Sequence, residues 1–179
     1  MSVTQRNISG YGLPVIEWER VRRTLATDHT QAPGTGGPDR HTSWLTTTNP
    51  DGTSHVRPLG TVQLDGVLYF TSGPATRKSR NIGANPLCVL STATKRFDLV
   101  VEGRAQRVTD PSELDTVVEV YRRNGWPAEV DGDAVTAEYS APSAGPPPWW
   151  VFRIEPETVY AFGTDEPGGA TKYEKGHHD

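Results

Sequence analysis

Cysteine is almost absent from this sequence, since Cys88 is the only one among 179 residues. A single cysteine excludes an internal disulfide framework and is typical of a reducing compartment, so a cytoplasmic protein is expected. Cys88 lies within the apolar run LCVLS, which favours a small buried side chain over a reactive thiol. The histidines show no metal-ligand spacing with this cysteine, and the sequence therefore predicts no metal site.

Long hydrophobic runs are absent as well. Hydrophobic residues make up 34% of the chain, and no run of them approaches the roughly 20 residues that a membrane-spanning helix needs. The first residues, MSVTQRNISGYGLP, lack the apolar core of a signal peptide. Neither membrane insertion nor secretion is expected.

An excess of positive charge is also missing. The net charge is −4 and the isoelectric point is about 5.7, which argues against a general nucleic-acid-binding surface. No GxGxxG motif follows a predicted strand and no GxxxxGK[ST] motif occurs, so the motifs of dinucleotide-binding and P-loop proteins are not met.

Glycine and proline are abundant, with 18 and 15 residues, which predicts many short elements joined by turns. Hydrophobic periodicity and capping residues predict helices over 15–26, 77–84 and 110–125. Runs of β-branched, aromatic and other apolar residues predict strands over 42–48, 53–64, 67–72, 87–93, 97–108, 149–156 and 158–164.

Turn signals separate most of these strands. NPDG at 49–52 and the pair Asp65-Gly66 each predict a hairpin. Gly103 interrupts the long strand 97–108 and predicts a bulge or a close approach of another chain segment. Consecutive hairpins favour an antiparallel sheet, and the number of strands favours closing it into a barrel. The predicted class is therefore mainly β with flanking helices.

The chain divides into three predicted regions. Residues 1–41 hold the N-terminal helix and a flexible glycine-proline loop, and residues 42–164 form the barrel domain. Residues 165–179 are predicted to be a polar tail. Inside the barrel domain, 126–148 is rich in loop-forming residues.

The segment TRKSRN (76–81) places Arg77, Lys78 and Arg80 within four positions of an otherwise acidic chain. One interpretation is a solvated helix face, the usual role of a charge run. The other is an anion clamp, which the context favours because a short helix begins here after a strand and a Ser-Gly-Pro loop. Amides at a helix start are unpaired and the helix dipole attracts negative charge. A guanidinium, an ammonium and the Asn81 amide can together bind a monophosphate.

The neighbouring strands supply further polar groups. Thr47, a candidate cofactor-binding residue, is the middle of three consecutive threonines on one predicted strand, and Arg57 interrupts the next strand between Val56 and Pro58. A mid-strand charge needs a partner or solvent. Because Pro58 has no N–H, irregular strand pairing is predicted there, which frees backbone groups that a flat heteroaromatic ring can use.

Five segments occur in the order WLTTTNPDGTSHVRPLG, DGVLYFTS, TRKSRN, ANPLCVL and DLVVEGRAQRVTD. This succession resembles the pyridoxamine-phosphate-oxidase-like split β-barrel family, and within it the flavin- and deazaflavin-dependent oxidoreductases. The resemblance covers roughly residues 42–125. It implies an FMN-binding-like antiparallel split β-barrel that forms a homodimer with a cofactor at each subunit interface.

The resemblance also implies roles for individual residues. The strand that holds Arg57, Pro58 and Leu59 corresponds to the family strand that lies along the cofactor ring. The strand end with Thr71 and Ser72 corresponds to a cofactor contact, and the cluster of Arg77, Lys78 and Asn81 corresponds to the residues that hold the phosphate.

The implied activity is hydride transfer between the cofactor and a small organic substrate. FMN and the deazaflavin coenzyme F420 both carry a ring, a ribityl chain and a phosphate, so the clamp does not separate them. TRKSRN and the VEGRAQ strand look most like the F420 branch, which makes F420 the predicted cofactor and FMN the alternative.

Two questions stay open at the level of sequence. A non-catalytic carrier of a flavin, haem or tetrapyrrole is the alternative function, because the same clamp serves a phosphate or a propionate. No catalytic acid or base is required by the sequence. His55 is the first candidate proton donor because histidine titrates near neutral pH, and a surface turn position is its alternative interpretation.

Overall fold

Three helices and eleven strands are present in the described residues, 3–28, 42–141 and 143–176, of a computed structural model. The helices are α1 (Trp18–Asp28), α2 (Arg77–Ala84) and α3 (Pro111–Arg123). The strands are β1 (Val3–Asn7), β2 (Ser43–Thr48), β3 (Ser54–Leu59), β4 (Val62–Leu64), β5 (Val67–Ser72), β6 (Leu87–Ala93), β7 (Phe97–Arg107), β8 (Glu129–Asp131), β9 (Ala134–Thr136), β10 (Trp150–Gly163) and β11 (Ala170–Lys175). The glycine-proline loop predicted at 29–40 lies outside the described residues.

The strands form an open antiparallel sheet that is not closed into a full barrel. The main path runs β1-β11-β10-β7-β6-β2-β3, while β5 pairs with β10 and β4 pairs with β5. One edge of β10 pairs first with β5 and then with β11, and its other edge pairs with β7 throughout. This arrangement confirms the predicted antiparallel split β-barrel.

Two hydrophobic clusters hold the sheet. Inward-pointing residues of the barrel strands, among them Leu45, Phe70 and Val101, form the first cluster with α1. The second lies on the other face of β5 and β10, where α3 packs with Trp126. At the start of α3, Asp110 accepts a hydrogen bond from the amide of Glu113 at 2.8 Å. This confirms the predicted capped helix.

The strand predicted over 53–64 is wrong in its continuity. It divides into β3 and β4. Thr61 lies between these two strands and Val62 is the first residue of β4, and both residues are fully buried. Regular alternation cannot bury two consecutive residues on one face. The Thr61 hydroxyl is accommodated because it lies 3.0 Å from the Ser43 hydroxyl inside the barrel.

Pairing at Pro58 is regular, so the predicted irregularity is also wrong. Pro58 lies opposite Trp44, and the register of β3 with β2 continues through it without a shift. The physical reason is the position of β3 at the end of the sheet path. An edge strand tolerates a missing N–H that points away from its only neighbour.

The two strands predicted over 149–156 and 158–164 form one strand, β10. Its register with β7 shifts between Pro156 and Thr158, and Gly103 lies opposite this bulge. A Cβ atom on Gly103 would lie 2.3 Å from the backbone oxygen of Glu155. The close approach predicted for Gly103 is thus confirmed, and the bulge in β10 explains the apparent break.

Two short strand pairs were not predicted from the sequence. β1 and β11 pair with each other, and β11 lies within the segment predicted as a polar tail. β8 and β9 form a hairpin inside the loop-rich segment 126–148. β1, β8 and β11 are short and mostly polar or half-exposed, and β9 has only three residues, so none of them shows the longer apolar pattern that identified the other strands.

Candidate functional site

A network of hydroxyl groups fixes the start of α2. Thr76 is the N-cap residue, and its hydroxyl accepts from the amide of Ser79 at 3.3 Å. The hydroxyl of buried Ser72 lies 2.8 Å from those of both Thr76 and Ser79, and Ser79 also donates to the Gly73 carbonyl at 2.9 Å. Ser72, a predicted cofactor contact, therefore holds the loop that presents the helix start.

Asn81 joins α2 to the sheet. Its amide nitrogen donates to the Thr47 hydroxyl and to the side-chain oxygen of Asn49, each at 3.1 Å. Asn81 and Thr47 are both buried. The sequence argument missed Asn49, because an asparagine at the start of NPDG is sufficiently explained by the turn.

The pairing of β2 with β3 directs two further residues toward α2. His55 lies opposite Thr47, and Arg57 lies opposite Leu45. Directly opposed residues of antiparallel strands share a face, so His55 and Arg57 lie on the face where Thr47 meets α2. One pocket is lined by Asn49, Pro50, Asp51, His55, Arg57 and Arg77.

Lys78 is the most unusual charged residue of the site. It is only 9% exposed, and no carboxylate of the described residues pairs with it. Burial lowers the pKa of its ammonium group, and the neighbouring Arg57 guanidinium lowers it further. A buried ammonium without a counter-charge is costly in free energy.

Arg57 and Arg77 complete what we call the cation cluster, which consists of Arg57, Arg77 and Lys78. Within the part of the chain that is described, neither arginine pairs with a carboxylate; Arg57 donates to the backbone oxygen of Val56 at 2.7 Å. Basic residues elsewhere commonly do pair, as Arg107 does with Asp133 at 2.7 Å. The cation cluster therefore has an unmatched positive charge.

The acidic residue nearest in the chain is committed to a turn. The carboxylate of Asp51 accepts from the amide of Thr53 at 3.0 Å and from its hydroxyl at 2.6 Å. These two bonds are the main reason why the pKa of Asp51 lies below its ordinary value. Asp51 remains charged, and its Oδ1 atom accepts both of these bonds within the β2–β3 turn.

Helix polarity adds to the positive potential. The amides of Arg77 and Lys78 are in the first turn of α2 and make no hydrogen bond among the described residues. Unpaired first-turn amides and the helix dipole favour an anion at this end. The helix start and the cation cluster, with its buried Lys78, together form a candidate site for a phosphate or a similar anion.

The structure brings some of the predicted site residues together and separates others. Thr71 lies opposite Val151 on the face of β5 that also carries Tyr69, whereas Ser72 faces the barrel interior. Pro58 lies on the exposed side of β3, and Leu59 is half-buried against the barrel core. No group of metal-ligating side chains is found within the described residues.

Trp149 lies in the core, and Trp150 lies at its rim. Trp149 is buried and donates from its indole nitrogen to the Gly145 carbonyl at 3.0 Å. Trp150 is half-buried, and the guanidinium of Arg107 lies 4.2 Å from the centre of its ring.

Comparison with known families decides the assignment of the chain. A family model described as pyridoxamine 5'-phosphate oxidase matches residues 37–163. The chain belongs to this family. A search of curated proteins found no match. Among the described residues, no helix is long and apolar enough to cross a membrane.

Solved structures share the fold of this pyridoxamine 5'-phosphate oxidase family member at low sequence identity. A pyridoxamine 5'-phosphate oxidase-related, FMN binding protein from Nostoc punctiforme is 18% identical, with 76% of this chain and 81% of that chain covered and a TM-score of 0.54. A FAD-binding protein from Mesorhizobium loti is 19% identical, with 98% and 100% covered and a TM-score of 0.51. General Stress Protein 26 from Bacillus anthracis is 18% identical, with 79% and 93% covered and a TM-score of 0.52.

Proposed function

We propose that this protein is an oxidoreductase that binds a flavin-type cofactor through the cation cluster and transfers a hydride between that cofactor and a small organic substrate. The observation that carries the proposal is Lys78, a buried ammonium without a counter-charge among the described residues, beside Arg57 and two free helix amides. A cofactor phosphate supplies the missing negative charge.

The residues of the site have distinct proposed roles. Lys78 acts as a point charge, and Arg57 and Arg77 present guanidinium groups that can each bind two phosphate oxygens. Thr47 and Asn81 hold α2 against β2. Ser72, through its bond with Thr76, holds the loop before α2. Pro58, Leu59 and Thr71 stay predicted contacts of the rest of the cofactor.

The bound ring supplies the redox chemistry, and the protein orients it and excludes water. We propose F420 as the cofactor, because the TRKSRN segment and the VEGRAQ strand resemble the F420-dependent branch. FMN is the alternative, and the names of the FMN- and FAD-binding neighbours support a flavin-type ligand in general.

We also propose a homodimer with the cofactor at the subunit interface. Four large apolar side chains are exposed on the outer face of the sheet: Trp44 at 49%, Leu87 at 46%, Val56 at 42% and Phe162 at 39%. The strand register places all four on the same side. Exposed apolar side chains that share one face mark an interaction surface. We propose a second copy of the chain for this face because the face extends to β3, which lies at the end of the sheet path. Arg57 lies on the same strand, on its opposite face.

Cofactor titration tests the binding part of the proposal. F420 and FMN are titrated separately into the protein, and affinity is measured from quenching of cofactor fluorescence. The double variant Arg77→Ala, Lys78→Ala should lose several kcal/mol of binding free energy, given about 1.5–3 kcal/mol for each charged hydrogen bond. The matched control is Lys95→Ala, Arg96→Ala, which removes two exposed cations after the far end of β6. Equal affinities in both double variants contradict the clamp.

Turnover separates an enzyme from a carrier. The reduced cofactor is bound to the protein, and its absorbance is followed while a panel of small organic acceptors is added anaerobically. An oxidoreductase reoxidises the cofactor with one class of acceptor faster than the free cofactor does. A carrier protects the reduced form against every acceptor, and that result rejects the proposed activity.

A further inference from the structure

His55 is the one titratable side chain near neutral pH that lines the pocket of the cation cluster. It shares this pocket with Arg57 and Arg77, and its half-buried ring lies on the α2-facing side of β3. The proposed hydride transfer assigns no task to this imidazole.

The charges around His55 are mostly of one sign. Arg57 comes from its own strand, and Arg77 and Lys78 come from α2. Thr47, opposite on β2, is uncharged. Asp51, in the adjoining turn, is the acidic group that lines this pocket, and its Oδ1 atom accepts two hydrogen bonds from Thr53. Burial and these three cations lower the pKa of His55.

A bound dianion offsets the excess of positive charge around His55. Without it, protonation of His55 adds a fourth positive charge to a region that already holds three cations and one carboxylate, that of Asp51. With a doubly charged phosphate among the same groups, an imidazolium ion is attracted instead of repelled. The protonation state of His55 and the occupancy of the pocket are therefore energetically linked.

We propose that His55 takes up a proton when the cation cluster binds a doubly charged anion, so that this site binds its ligand and a proton together. The inference rests on the proposed function where the anion is identified with the phosphate monoester of FMN, because the phosphate of F420 is a diester that carries one negative charge. His55 thereby becomes a ligand-contacting residue that favours a phosphate monoester, with two negative charges, over a diester, with one.

Linkage fixes the sign of the pH dependence. Because binding of the anion raises the pKa of His55, protonation of His55 raises the affinity for the anion by the same factor. Affinity for the dianion is highest when His55 is already protonated in the free protein. It then falls as pH rises, by at most about tenfold per pH unit for one linked proton, until His55 is neutral in the complex as well.

Sulfate is the probe of choice because it remains a dianion throughout the range in which histidine titrates. The imidazole proton resonances are followed by NMR against pH in sodium sulfate and in sodium chloride of equal ionic strength. His55→Gln identifies the resonance of His55, and circular dichroism checks that this variant is folded. In sulfate the midpoint of the His55 titration should shift upward by on the order of one pH unit.

Lys78→Met provides the site-specific control. In this variant the His55 titration should move upward in chloride, because one cation is gone, and should lose most of its response to sulfate. An unchanged His55 midpoint in sulfate overturns the proposal, and so does a full sulfate response in Lys78→Met, since the anion then lies elsewhere. If sulfate shifts His55 while neither F420 nor FMN binds, the proton linkage stands and the proposed cofactor is rejected.

Discussion

The amide nitrogen of Asn81 donates a 3.1 Å hydrogen bond to the Thr47 hydroxyl, and this contact fixes α2 on the sheet. The same nitrogen reaches Asn49, so both of its protons can be used within the protein. The relationship explains how a short helix holds Lys78 in a buried position. It also indicates that Asn81 acts on the anion site by positioning α2.

Asn81→Ala should therefore lower both stability and anion affinity. The free energy of unfolding should fall by about 1–3 kcal/mol, because the buried Thr47 hydroxyl loses its donor. Cofactor affinity should fall by about tenfold, or about 1.4 kcal/mol. Urea unfolding and cofactor titration measure the two effects.

Thr47→Val distinguishes positioning from direct contact. This variant removes the acceptor of the hydrogen bond and leaves the Asn81 amide in place. If Asn81 positions α2, Thr47→Val should reduce cofactor affinity in the same direction as Asn81→Ala. A Thr47→Val protein with full affinity contradicts the view that the bond between Asn81 and Thr47 positions α2 for the ligand.

Much of this architecture can be predicted from the sequence, and the predictions that are wrong have physical causes. Asp65 and Gly66 were predicted to form a hairpin turn, and both have positive φ angles, 51° and 84°. In contrast, Thr61 is polar and fully buried, and the strand predicted over 53–64 is interrupted there. The sequence does not indicate this burial, because the hydroxyl that accommodates Thr61 belongs to Ser43, which is distant in sequence. Long-range pairing of this kind leaves no local signal.

The candidate site, like the fold, can be predicted from the sequence only in part. The position of Lys78 at a helix start follows from TRKSRN and the preceding Ser-Gly-Pro loop. Its burial does not, because burial depends on β2 and β3 packing against α2. Thr71 and Ser72 point to opposite faces because side chains alternate along a strand, which the predicted strand 67–72 already implies. Which hydrophobic cluster each face meets depends on the packing of β5.

Gly103→Ala should be strongly destabilising. The added Cβ would lie 2.3 Å from the Glu155 oxygen, which is backbone and cannot rotate away. Overpacking of this kind costs about 1–3 kcal/mol or more. Differential scanning calorimetry should show a lower Tm, by about 2–4 °C for each kcal/mol in a chain of this size.

Gly83→Ala is the matched control for Gly103→Ala. Gly83 lies in α2, and apart from its chain neighbours and the backbone of that helix no atom lies within 4 Å of the position that its Cβ would take. Alanine should stabilise the helix by about 0.5–1 kcal/mol. Equal losses of stability in the two variants would contradict the close approach at Gly103.

Tyr121→Phe should raise stability. The Tyr121 hydroxyl is fully buried and has no hydrogen-bond partner within the described residues, and burial raises its pKa. Removing an unpartnered hydroxyl should gain on the order of 1 kcal/mol. Tyr173→Phe is the opposite case, because the Tyr173 hydroxyl donates to the Ile16 carbonyl and its loss should cost about 0.5–1.5 kcal/mol. Urea unfolding of both variants gives the comparison.

Trp44→Arg tests the outer face of the sheet as a dimer interface. Burying an arginine without a partner in an apolar contact is unfavourable, so the variant should elute as a monomer in size-exclusion chromatography with light scattering. Tyr11→Arg is the control, since Tyr11 is 92% exposed and lies outside the strands of this face. A wild-type protein that is monomeric at all concentrations rejects the interface outright.

Lys78→Met should stabilise the free protein while it abolishes anion binding. The pKa of Lys78 lies below its ordinary value of 10.5 because burial disfavours the charged form. Between the lowered folded pKa and the ordinary value, the unfolded chain binds more protons, so wild-type stability rises with pH in that window. Methionine removes the cost of the buried charge and should also remove this alkaline rise.

Thermal unfolding with and without sulfate shows both effects of Lys78→Met. In chloride the variant should have the higher Tm, and sulfate should raise the Tm of the wild type only. Lys172→Met is the control, because Lys172 is paired with Glu174 at 2.7 Å and should gain no stability on substitution. A Lys78→Met protein that is less stable than the wild type in chloride means that Lys78 is a structural residue, and the anion site then loses its main support.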